Sequence, residues 1–147
     1  MTAERVWTFF YGSFINLEVL EKSDVAPEGV EVARLAGFDI RIAPLANLVP
    51  SEMDAVYGIV ALVTHHELER LYRYAREELG GVYNPRAVLV ETLSGAYRPA
   101  LCYIAPSMTP SPASSDYVDR IILPARERGF PEWYVNKLER FRPPRDR

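Results

Sequence analysis

The run Val56-Tyr57-Gly58-Ile59-Val60-Ala61-Leu62-Val63 is apolar and rich in β-branched residues, and it leads straight into Thr64-His65-His66-Glu67. The run predicts a central strand, with Gly58 as its one weak point. The tetrapeptide has capping-box spacing: the Thr hydroxyl takes an amide three residues on, and the Glu carboxylate returns to the cap amide. A strand therefore hands over directly to a helix at Thr64. Leu68, Leu71, Tyr72, Ala75 and Leu79 recur at three and four, and Gly80-Gly81 ends the helix because glycine accepts the left-handed cap.

Around this junction the signals are mostly those of short strands. Val6 to Tyr11 reads as a buried strand that stops at the Gly12-Ser13 turn, and Asn16 to Glu21 as a short helix. Asp24 to Gly29 is a loop, Val30 to Ala43 a half-exposed strand bent at Gly37, and Pro44 to Asp54 a connection. Ala87 to Thr92 and Ala100 to Ile104 predict a hairpin turning at Gly95. After an irregular Pro106 to Ser114 loop, a helix capped by Ser114 or Ser115 runs through Asp116 to Arg128, kinked at Pro124 and stopped at Gly129. Pro131 opens a last helix to about Phe141. Strands first, one inserted helix and helices at the end predict an α+β fold rather than alternating βαβ units.

The length of 147 residues fits one domain, 1–147, with a Pro/Arg-rich tail from about 142. A net charge of -3 supplies no footprint for a phosphate backbone, so nucleic acid is not expected as a partner. No apolar run approaches the roughly 20 residues needed to cross a bilayer, so no membrane partner is expected either. The N-terminus carries Glu4 and Arg5 and no cleavage-site pattern, and Cys102 is the one cysteine. Together these predict a cytoplasmic protein without a disulfide framework. His65 and His66 diverge by about 100° on a helix and cannot readily share a metal. Cys102, in an apolar strand, is expected to be buried and inert. Ser13 has no identifiable base, and the arginines at 140, 142, 145 and 147 read as a solvated tail.

The loop Phe10-Tyr11-Gly12-Ser13-Phe14-Ile15 resembles the strand-end Tyr-Gly-Ser loop of the gamma-glutamylcyclotransferase family. Three further motifs are similar to that family's and stand in the same order. Val56 to Val60 resembles its central strand, followed by the helix with Leu68 and Leu71, and Gly81-Val82-Tyr83 its post-helix turn. Pro110-Ser111-Pro112, Tyr117, Ile121, Ala125 to Tyr134 and Leu138 resemble its C-terminal pattern. The likeness covers about residues 6 to 141. It implies a small mixed β-barrel with flanking helices. It also implies an enzyme, of acyltransferase or cyclising-lyase type, that converts the gamma-glutamyl group of a gamma-glutamyl amine or amino acid to 5-oxoproline and releases the amine. No metal or organic cofactor is implied, and the partner is the small-molecule substrate.

That reaction needs a base to take the substrate's α-amine proton and an acid to protonate the leaving amine; one carboxylate can do both in turn. The tetrahedral oxygen needs preorganised donors, which a Gly-containing strand-end loop can aim at it. By resemblance Tyr11, Gly12, Ser13, Phe14 and Ile15 hold the gamma-glutamyl end, and Tyr83 and Tyr117 border the pocket. Phe14 stands where many relatives have Asn. The family's Glu, four residues after the leucine matching Leu71, is replaced here by Ala75, and the stretch from Leu71 to Tyr83 is one residue longer. At about 100° per residue, a position seven after Leu71 returns to within about 20° of its direction. Glu78 satisfies this and Glu77 does not, so Glu78 is the expected acid and base. The alternative, which Ala75 favours, is a catalytically inactive module of the same fold that binds a small molecule.

Overall fold

The computed structural model describes residues 4–144. Five strands, β1 (Arg5–Phe10), β2 (Glu28–Ile42), β3 (Ala46–Thr64), β4 (Asn84–Thr92) and β5 (Tyr97–Ile104), close into a barrel in the order β1-β3-β2-β4-β5. Four helices flank it: α1 (Leu17–Lys22), α2 (His65–Tyr74), α3 (Ser115–Glu127) and α4 (Glu132–Glu139). The expected α+β class and mixed barrel are what the chain adopts. All pairings are antiparallel except β1 with β5, which closes the barrel through Thr8 opposite Leu101 and Phe9 opposite Cys102.

The expected connection over Pro44 to Asp54 is instead the first half of β3, which pairs with β2 from Ile42 opposite Ala46 onward. Pro50 obscured it, because proline supplies no ladder donor. The strand tolerates it at a register shift, where Pro50 sits opposite Phe38 beside the positive φ of Gly37, and β1 pairs only with Ile59 to Thr64. Among the described residues, the arm of β3 around Pro50 therefore has β2 as its only strand partner. Gly58, the apparent weak point, is required: a Cβ there would lie 2.1 Å from the Phe10 carbonyl oxygen.

The Thr64 capping box forms as the sequence predicts. Its Glu67 does more than cap, since the carboxylate also accepts from the Ala26 amide at 2.7 Å and lies 3.4 Å from Arg5. Burial alone would raise this carboxyl. The Thr64 and Ala26 amides, with Arg5, outweigh burial and hold it below its usual value. A lowered folded pKa stabilises the fold above the unfolded value, and that contribution disappears as pH falls through the folded one. Glu67→Gln is therefore expected to destabilise at neutral pH and to flatten the acid limb of stability, measured by urea unfolding between about pH 3 and 7. At the other end of the chain, Arg142 is not a solvated tail residue: it pairs with Asp119 at 2.6 Å and Glu139 at 2.5 Å, fastening the end of the chain to α3 and α4. Arg145 and Arg147 lie outside the described residues.

Candidate functional site

Beyond Phe10 the chain leaves the barrel through Tyr11 and Gly12 into a short 3-10 turn, Ser13–Ile15. This exit is possible only because residue 12 has no side chain, since a Cβ on Gly12 would meet the Ala46 Cβ at 2.5 Å. Ala46, at the start of β3, is a hub that sequence reasoning missed. Its amide donates to the Tyr117 hydroxyl at 2.9 Å, and its carbonyl accepts from the Tyr83 hydroxyl at 2.6 Å. Two tyrosines distant in sequence are thereby fixed on either side of the Gly12 loop.

These groups line one pocket of about 350 Å³ of atom-free space, its mouth included. Tyr11, Gly12, Ser13, Phe14, Tyr83 and Tyr117, all expected site residues, meet there. Ile15 does not; it is fully buried and anchors the turn from behind. Tyr72 and Tyr103 are also in the wall, stacked face to face at 3.8 Å between ring centroids. Phe14 meets Tyr72 edge-on at 5.5 Å, and the Tyr11 hydroxyl is tied to the Tyr103 carbonyl at 2.6 Å. Phe10, Ala46, Ala75 and Leu79 complete the lining. The near-coincidence of Tyr72 and Tyr103 requires pairing α2 with β5, which no local pattern encodes.

Among the described residues, the pocket wall holds no carboxylate. Ala75, 1% exposed, forms the wall four residues after Leu71, and Glu77 and Glu78 both face solvent. The helical phase that pointed to Glu78 does not hold, because Ala75–Leu79 is a π turn rather than α-helix. A π turn spends more residues per revolution, which is a common way to absorb an inserted residue. Here it rotates Leu79 onto the pocket and Glu78 away from it. The turn is closed by the Gly81 amide on the Ala75 carbonyl at 2.9 Å, with Gly80 left-handed at φ 80°.

Electrostatically the pocket offers neutral phenols rather than bases, and the hydroxyls of Tyr11 and Tyr83 already donate to the Tyr103 and Ala46 carbonyls. Burial pushes the phenols of Tyr11, Tyr72 and Tyr83 up, and neighbouring phenols add to it. Burial also raises Tyr117, opposed in part by the Ala46 amide, Ser13 and the Arg120 guanidinium. All of them stay protonated at neutral pH. Cys102 is buried, and burial pushes its thiol up to about 12, so it is no nucleophile. Among the described residues, no three His, Cys, Asp or Glu side chains converge as a metal site, and no helix is long and apolar enough to cross a membrane.

The phenol roles are separable. Tyr117→Phe strips the buried Ala46 amide of its acceptor and is expected to cost about 1 to 3 kcal/mol in chemical denaturation. Tyr103→Phe, whose hydroxyl makes no hydrogen bond within the described residues, is expected to cost under about 0.5 kcal/mol.

Comparison with known proteins bears on the same elements. A family model described as the AIG2-like family matches residues 55–138, from the second half of β3 through α4. No curated protein matches by sequence. Among solved structures, a gamma-glutamyl cyclotransferase superposes with a TM-score of 0.80 at 26% identity, over 98% of this chain and 91% of that one. An uncharacterised human protein gives the same values. A glutathione-specific gamma-glutamyl cyclotransferase from yeast shares the fold at a TM-score of 0.63 and 14% identity, over 94% of this chain and 95% of that one.

Proposed function

Since the chain belongs to the AIG2-like family and has the gamma-glutamyl cyclotransferase fold, we propose that its tyrosine pocket binds a small gamma-glutamyl amide without cyclising it at a significant rate. The observation that carries this reading is Ala75, which forms the pocket wall where the sequence resemblance calls for the acid and base. The α-amine of such a ligand is an ammonium at neutral pH and cannot attack the γ-carbonyl until it is deprotonated. Phenols whose pKa is raised by burial do not accept that proton. What they do supply is flat apolar walls for a ligand's methylene portion and, from Tyr117, whose hydroxyl accepts from the Ala46 amide and keeps its own proton, a donor for a carbonyl. The buried free thiol of Cys102 suits a reducing compartment, and the proposal places the protein in the cytoplasm.

One observation favours a second reading, in which 5-oxoproline is formed and the amine released: the likeness to a gamma-glutamyl cyclotransferase spans 98% of the chain. Under that reading the base comes from outside the pocket wall. Glu69 lines an adjoining cleft that shares Tyr72, Tyr83 and Tyr103 with the pocket. Calorimetry with a panel of gamma-glutamyl amino acids and amines, followed by mass spectrometry of the same samples, separates the two. Saturable binding with the ligand recovered intact is the expected result. Formation of 5-oxoproline that Glu69→Gln abolishes would replace the first reading with the second.

A further inference from the structure

A second cleft opens beside the tyrosine pocket and shares Ser13, Leu79 and Tyr117 with it, so the two adjoin. It holds about 510 Å³ of atom-free space, its open side included. Two cations reach it from different elements. Lys22 closes the last turn of α1, and Arg120 lies one turn into α3, beside Tyr117. The elements are linked, because Asn16 caps α1 through its side-chain oxygen and donates from its amide nitrogen to the Arg120 carbonyl at 3.4 Å. The placing of the two cations is therefore built into the fold.

Among the described residues no acidic side chain lines this cleft, although the chain as a whole is acidic. Glu18 and Asp116 stand four residues before Lys22 and Arg120, yet among the described residues neither cation takes part in an ion pair. The cleft on the other side of the pocket differs, because Arg73 and Arg76 there share the lining with Glu69. Two like charges facing one concavity without a counter-charge raise the local potential and favour an anion there.

We infer that the Lys22 and Arg120 cleft holds the carboxylate of the amine portion of a ligand whose amide occupies the tyrosine pocket. This rests on the binding role proposed for that pocket, and it selects gamma-glutamyl compounds whose amine portion carries an acid over those released as simple amines. Ser13 and Tyr117, shared by the two linings, stand between the amide portion in one space and the carboxylate in the other.

The test is a matched pair of probes, gamma-glutamylglycine and gamma-glutamylglycinamide, identical except that the terminal carboxylate is a carboxamide in the second. Titration calorimetry at low ionic strength is expected to show wild type binding the acid about tenfold more tightly than the amide, the gain of a charge-assisted contact. In the double variant Lys22→Gln with Arg120→Gln, both positions being exposed, the ratio is expected to fall to within about twofold. Equal affinity for the two probes in wild type, or a preference that survives in a folded double variant, would overturn the anion subsite and leave the pocket reading standing. Failure of both probes to bind wild type would overturn the two together.

Discussion

Under the binding reading proposed above, Ala75→Glu is expected to confer cyclotransferase activity on this protein. Position 75 is in the pocket wall and 1% exposed, so a carboxylate attached there enters the space the tyrosines enclose. In apolar surroundings its pKa rises toward neutrality, which suits a group that must first take and then return a proton. General acid and base catalysis of this kind contributes roughly 10² to 10⁴ in rate. Formation of 5-oxoproline from gamma-glutamylglycine is expected to rise at least about 100-fold over wild type in Ala75→Glu and not at all in Ala75→Gln, which adds similar bulk without a base. A gain in the Gln variant would trace the effect to shape. A wild type already as fast as the Glu variant would mean that the base is elsewhere.

The second large effect concerns stability. Gly58→Ala would place a Cβ 2.1 Å from the Phe10 carbonyl oxygen and 2.8 Å from the Phe9 ring. The nearer contact is backbone of an adjacent barrel strand, so side-chain repacking cannot relieve it, and overpacking that must move backbone lies at the upper end of such costs. A loss of at least about 3 kcal/mol, or roughly 10 °C in Tm, is expected by circular dichroism. Gly95→Ala is the contrast: nothing lies within 4 Å of that position, and only its φ of 89° opposes a side chain, at about 1 kcal/mol. The Gly58 variant also bears on the site, because Phe10 leads into the Tyr11 to Phe14 loop.

Why some of this was readable from sequence and some was not can be followed through particular residues. Thr64 and Glu67 declare the strand-to-helix junction because a capping box is local chemistry, settled within four residues. Gly95 and the flanking strands declare their hairpin for the same reason. The first half of β3 was hidden because Pro50 argues locally against a strand, and only its partner β2 accommodates it. The loop and the two outlying tyrosines were legible through the order of motifs, but Tyr72 and Tyr103 were not, since their stacking joins α2 to β5. Glu78 was chosen by assuming 3.6 residues per turn up to the glycines. The π turn at Ala75 to Leu79 breaks that assumption, and nothing in the five residues Ala-Arg-Glu-Glu-Leu announces it. The same turn leaves Ala75 as the wall of a pocket lined by neutral phenols.

That pocket is best examined with a ligand in it. A crystal structure of the wild-type chain grown with gamma-glutamylglycine would show both where the ligand sits and whether its amide bond survives. An intact molecule is expected in the tyrosine pocket, held by the loop from Tyr11 to Phe14 and by Tyr83 and Tyr117, with the Ala75 methyl group facing the unreacted amine. Finding 5-oxoproline in that pocket, or the dipeptide bound outside it with the pocket empty, would contradict it.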